Sequence, residues 1–204
     1  MIIVVEGPSG AGKTTWCRTH AGANALLEAL PDQSTVPTDP QAAARFWVER
    51  NVARWQEVLE REARNGLVVV DTDPFKLHYI WSLWRTGQAT KIEWELQRDA
   101  ARDAFTQGRY ALADIFLVAD VEEAALRTRR AADATRTRRN FEIHVKLREA
   151  TIAWYRAIDG FEPGRVIFGL PASGITPALI AKGKRARRSG PELFDQLMGA
   201  LGAA

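Results

Sequence analysis

Short apolar runs alternate along the chain with longer stretches in which apolar residues recur at helical spacing. The runs fall at residues 2–6, 34–38, 67–71, 115–119 and 165–170, and the 34–38 run is the weakest. Most are continuous rather than alternating, as strands are when helices cover both faces of a parallel sheet. Between them the spacing predicts a helix from near Lys13, one over 40–65 stopping at Gly66, and two more over 75–86 and 90–106, ahead of Gly108. Further helices are predicted from Glu122, over 140–158 and over 191–201. The last has Pro191 in first position and aligns Leu193, Phe194, Leu197, Met198 and Leu201 along one face. The alternation of strand and helix predicts an α/β fold with about five parallel strands flanked by helices in three layers. No repeat or low-complexity linker breaks the pattern, so residues 1–204 are expected to form a single domain.

The first run leads into Gly7, Pro8, Ser9, Gly10, Ala11, Gly12, Lys13 and Thr14, the pattern G-x-x-x-x-G-K-[ST]. Its place between a strand and a helix gives the pattern its meaning. Glycines let successive N–H groups turn inward as an anion nest, and the next helix adds the positive end of its dipole. Lys13 is expected to reach the β- and γ-phosphates, and the Thr14 hydroxyl to ligate Mg²⁺, with Thr15 completing the ATP-binding loop. ATP and Mg²⁺ are therefore the expected cofactors.

Composition narrows the setting more than the chemistry. Hydrophobic residues at 46% and charged residues at 26% suit a globular domain, and no apolar stretch approaches a membrane span. The opening residues are expected to be strand rather than leader. Cys17 is the single cysteine, so no internal disulfide is possible and a cytoplasmic location is expected; it is expected to pack in the core from the first helix. The net charge of +3 fits acidic small substrates as well as nucleic acid.

Other residues offer chemistry. Asp71 closes the 67–71 run, where an acid holds Mg²⁺ in phosphate-loop enzymes, with an Asx turn before Pro74 as its structural alternative. Asp73 precedes Pro74 and fits a helix cap, with substrate binding as its functional alternative. Asp39 ends the weak second run before Pro40, so it fits both a helix cap and a base or substrate ligand. The 127–140 stretch is rich in arginine, including Arg127, Arg129, Arg130, Arg136, Arg138 and Arg139. Such a segment closing over the nucleotide would neutralise the transferring phosphoryl group, and Arg136, Arg138 and Arg139 are its candidate catalytic members. Trp47 and Tyr79 are candidates for stacking on an acceptor ring. His20, His78 and His144 lack metal-ligand spacing. The basic run 182–188 has no interleaved aromatics and reads as a solvated loop, so no nucleic-acid partner is expected.

These residues together resemble the thymidylate kinase and deoxynucleoside kinase group of phosphate-loop kinases. The segment from Val5 to Thr15 looks like the opening of either branch. Val36-Pro37-Thr38-Asp39-Pro40 with Trp47 is similar to the segment that supplies a catalytic Glu before Pro, with Asp39 in that place. Val70-Asp71-Thr72-Asp73 occupies the site of the acid–Arg motif, and Ala113 to Val118 leads into a lid that runs about 127–140. Thr72 stands where the family has Arg, and Ser9 where thymidylate kinases have an acid, which leaves the acceptor open. The resemblance implies a phosphate-loop fold with an Arg-rich lid, phosphoryl transfer from MgATP to a small acceptor, and a possible homodimer through the Trp-bearing helices. A nucleoside-like hydroxyl acceptor is the leading expectation. A nucleoside monophosphate kinase, a natural-product phosphotransferase, a non-transferring nucleotide switch and a polynucleotide-end kinase are the alternatives.

Overall fold

Five strands make one parallel sheet in the order β2-β3-β1-β4-β5. The computed structural model describes residues 1–28, 35–132, 140–183 and 188–202. In chain order the strands are β1 (Ile2–Glu6), β2 (Ala25–Leu26), β3 (Val68–Asp71), β4 (Ile115–Val118) and β5 (Val166–Phe168). The helices are α1 (Lys13–Ala21), α2 (Pro40–Asn65), α3 (Leu77–Arg85), α4 (Lys91–Thr106), α5 (Glu123–Ala132), α6 (Phe141–Phe161), α7 (Pro177–Lys182) and α8 (Pro191–Gly202).

Side chains of a strand point alternately to opposite faces, and here both faces are covered. Ile3, Val5, Val69, Ile115 and Leu117 pack against Trp16 and Cys17 of α1 and Leu179 of α7. Ile2, Val4, Val68, Val70, Phe116 and Val118 pack on the other side, within the apolar cluster that includes Trp55, Trp81, Trp154 and Phe194. Two hydrophobic faces per strand explain why the runs lack alternation.

Local chemistry sets several boundaries. Asp39 accepts the Ala42 N–H at 2.8 Å, Pro40 begins α2, and Gly66 ends it in the left-handed region at φ 72°. Thr90 and Glu93 form a reciprocal capping box at the start of α4.

Two expectations fail. Residues 35–38 carry no strand and residue 34 lies outside the described residues; the edge strand is Ala25–Leu26, paired with Val69 and Val70. Two residues are too few to give a hydrophobic signal, and Pro37 has no N–H to donate to a ladder. The basic run departs from a solvated loop at Arg188, which binds Asp114 (2.7 Å) and Glu62 (2.7 Å), while residues 184–187 lie outside the described residues. Among the described residues no helix is long and apolar enough to cross a membrane.

Candidate active site

The turn from β1 into α1 is built around three glycines with φ values of 142° (Gly7), 89° (Gly10) and 95° (Gly12). Gly7 has a second constraint. A Cβ there would lie 2.8 Å from the Ala119 carbonyl oxygen, so the loop runs against the end of β4. Gly12 caps α1 from the left-handed region. The Lys13 Nζ donates back to the carbonyls of Gly7 (2.6 Å) and Pro8 (3.3 Å), which lays its cation over the loop. Amides at a helix start and a folded-back ammonium together suit a polyphosphate.

Next to the loop, the Thr14 hydroxyl donates to Asp71 Oδ2 at 2.6 Å. The other Asp71 oxygen is buried without a partner. Burial raises the Asp71 carboxyl above its ordinary range, against the Thr14 hydrogen bond and the Lys13 charge. A hydroxyl and a carboxylate with an unused oxygen are the hard oxygen donors Mg²⁺ takes while keeping waters and phosphate oxygens. Among the described residues no group of three or more His, Cys, Asp or Glu forms a metal cage.

A further carboxylate of the cleft lining is Glu28, which sequence reasoning missed. It lies two residues past the end of β2 and lines the same cleft as Gly7, Pro8 and Lys13. Lys76 binds it at 2.6 Å. Burial would raise the Glu28 carboxyl, but Lys76, with Lys13 and Arg54 behind it, holds it below its ordinary range. Arg54 straps the two strand ends together, donating to the Leu27 carbonyl (3.2 Å) and the Asp71 carbonyl (3.0 Å). Asp39, expected as a helix cap and as a base or substrate ligand, is an exposed helix cap and is absent from the cleft lining. The edge strand ends at residue 26 rather than 38, so Glu28 follows it into the cleft.

Asp73 also departs from expectation. It is wholly buried, accepts the Phe75 N–H (2.9 Å) and the Tyr155 hydroxyl (2.9 Å), and does not line the cleft. It caps no helix either, because α3 begins only at Leu77. Burial, and then the charge of Glu6, pushes its carboxyl up to about 7. Glu6 is buried too, yet its two oxygens accept the Gly7 N–H (2.7 Å) and the Asp73 N–H (2.9 Å). This carboxylate ties the phosphate loop to the segment after β3.

From the phosphate loop the cleft extends between α2, α3, α4 and α6, with a volume of about 990 Å³. Trp47 and Tyr79 line it, as does Phe46, whose ring meets Trp47 edge-on at 5.3 Å. Trp47, Arg50, Asn51, Arg54 and Glu57 form one stripe of α2 facing the cleft. Their i, i+3, i+4, i+7, i+10 spacing was a signal available in the sequence. Thr72 lines the cleft in the left-handed region, at φ 73°, and cations at this end come from Lys13, Arg54 and Lys76.

The Arg-rich stretch divides by environment. Arg127 pairs with Glu123 and Glu142, and Arg130 with Glu142, all on an exposed face. Arg129, itself exposed, donates to the Ala11 carbonyl of the phosphate loop at 3.2 Å. Arg136, Arg138 and Arg139 lie outside the described residues.

No protein-family model matches the chain, and no curated protein matches it. Solved structures do. The chain is similar to deoxyadenosine kinase from M. mycoides with bound dATP, at 11% identity and a TM-score of 0.55, covering all of this chain and 98% of that one. The same enzyme with dCMP and dCDP as products matches at 12% identity and TM-score 0.55, with both chains fully covered. Its complex with dCTP matches at 11% identity and TM-score 0.54, again over both chains in full. Five parallel strands, a phosphate loop after the first and helices on both faces thus make up the fold that this chain shares with that kinase.

Proposed function

We propose that this protein is a kinase that transfers the γ-phosphoryl group of MgATP to a hydroxyl of a nucleoside-like acceptor. The observation that carries this reading is one continuous cleft. Lys13 and the phosphate loop form one end, Trp47 and Tyr79 line its walls, and Glu28 is in the same lining. The fold shared with a kinase of deoxynucleosides supports the same reading.

Phosphoryl transfer demands positioning and charge compensation more than covalent chemistry. The loop amides and Lys13 bind and orient the polyphosphate. Thr14 and Asp71 would hold Mg²⁺, which neutralises phosphate charge when bound. Aromatic walls place the acceptor so that its hydroxyl oxygen faces the γ-phosphorus in line. The new O–P bond forms as the bond to the bridging β-oxygen breaks, and Glu28 takes the hydroxyl proton. Its lowered pKa keeps Glu28 ionised at neutral pH. Arg129, anchored at Ala11, stands at the lid side of the loop. Arg50 and Lys76 on the cleft wall favour, as a second reading, an acceptor that already carries a phosphate.

The test is transfer of labelled γ-phosphate from ATP to a panel of nucleosides and their monophosphates, with wild type and Glu28→Gln. The variant is expected to keep its MgATP affinity and to lose roughly 10²–10⁴-fold in turnover. Wild type that only hydrolyses ATP, at a rate no acceptor changes, overturns the reading. So does a Glu28→Gln variant of normal turnover.

A further inference from the structure

Thr72 breaks two local rules at one point of the cleft wall. Glycines apart, it alone among the described residues has a positive φ, at 73°, where a β-branched side chain is strained. Its hydroxyl oxygen is also buried, with no hydrogen-bond partner among the described residues. Each departure costs stability, and both fall on a residue that is 7% exposed and lines the cleft.

Neighbouring elements hold the strained turn in place. The Thr72 N–H donates to the Val5 carbonyl at 2.9 Å, and the Asp73 N–H to Glu6 at 2.9 Å. From α2, Arg54 holds the Asp71 carbonyl at 3.0 Å. The turn sends the two flanking acids apart, Asp71 to Thr14 of the phosphate loop and Asp73 to Tyr155 in the interior. Thr72 is left between them, in the lining that also holds Lys13 and Glu28.

Threonine carries its hydroxyl and a methyl on one carbon, and a third of a turn about χ1 exchanges them while the backbone stays still. A hydroxyl without a partner breaks no bond in turning, so a hydrogen bond to a ligand is gained nearly whole. Threonine also adds no charge where the kinases that this chain resembles have Arg, so the contact suits a neutral hydroxyl rather than a phosphate.

We infer that Thr72 is a binding residue for the acceptor: its hydroxyl turns into the cleft and hydrogen-bonds an uncharged hydroxyl of the acceptor. The inference rests on the proposed nucleoside-like acceptor and narrows it to one that presents a hydroxyl, not a phosphate, at this end.

Calorimetry measures binding of inosine, adenosine, uridine, cytidine and their 5′-monophosphates to wild type, Thr72→Val and Thr72→Ser, with thermal unfolding of all three. For the tightest nucleoside, Thr72→Val is expected to lose affinity roughly 5- to 30-fold, as loss of one hydrogen bond does, and Thr72→Ser to stay within about threefold. Both variants keep the MgATP affinity of wild type. Thr72→Val is expected to melt at or above wild type, because a methyl replaces an unpaired buried hydroxyl. The inference is overturned if Thr72→Val keeps the affinity of wild type, if Thr72→Ser loses as much as Thr72→Val, or if Thr72→Val melts well below wild type. It is overturned as well if wild type binds no nucleoside at millimolar concentration or prefers a monophosphate. Wild type that binds a nucleoside but never phosphorylates it sinks the kinase reading and leaves this contact standing.

Discussion

Substituting Gly7 and Gly12 separately by alanine distinguishes backbone strain from steric contact within one loop. Both glycines have φ in the left-handed half of the map, at 142° and 95°. An added Cβ at Gly12 meets nothing within 4 Å, so Gly12→Ala costs only conformational strain, about 1–2 kcal/mol. At Gly7 the Cβ would lie 2.8 Å from the Ala119 carbonyl oxygen and 2.9 Å from its Cβ. Neither neighbour can rotate away. The Ala119 N–H is bound to the Glu6 carbonyl at 2.7 Å, which clamps the two segments together. Overpacking of that kind adds about 1–3 kcal/mol to the strain, for a total of about 2–5 kcal/mol. For a chain of this length each kcal/mol lowers Tm by about 2–4 °C, so Gly7→Ala is expected to melt roughly 4–20 °C below wild type. Relief of the contact also displaces the phosphate loop, so nucleotide affinity falls more in Gly7→Ala than in Gly12→Ala. Urea unfolding and ATP calorimetry on both variants give the comparison. Equal destabilisation of the two, or a neutral Gly7→Ala, would refute the account of the Ala119 contact.

Asp39→Ala removes a helix cap and is expected to cost about 1 kcal/mol without changing the rate of phosphoryl transfer; slowed transfer at unchanged Tm would restore Asp39 as a base. Cys17 is fully buried, and burial with the nearby Asp71 charge pushes its thiol up to about 12. In the folded protein it is expected to resist iodoacetamide at pH 8 over hours while alkylating promptly in urea, as mass spectrometry would show; rapid labelling without denaturant would contradict its place beneath the sheet.

Elements whose ends follow from local chemistry were readable along the chain. The phosphate loop needs three positive-φ glycines and a helix start, and its letters state both needs. α2 runs from Pro40 to Asn65 as its spacing indicates, because Asp39, Pro40 and Gly66 are cap residues that act within a turn of themselves. Trp47 and Tyr79 reach the cleft because helical spacing carries them there. Glu28 escaped notice for the opposite reason: β2 is two residues long and is held by pairing with Val69 and Val70, not by its own pattern. Asp73 looked like a cap or a ligand, yet burial beside Glu6 and Tyr155 made it a structural acid.

Local patterns therefore sufficed for the strand–loop–helix itself, since the residues that define its turn lie within about a dozen neighbouring positions. The acceptor side had no such local rule. Which carboxylate lines the cleft beside the loop, and which arginine reaches the loop, depend on how segments far apart in sequence line up. Coulomb and hydrogen-bond terms act over a few ångströms of space, and only the packed sheet brings Glu28, Lys76, Asn51 and Gln97 around one cleft.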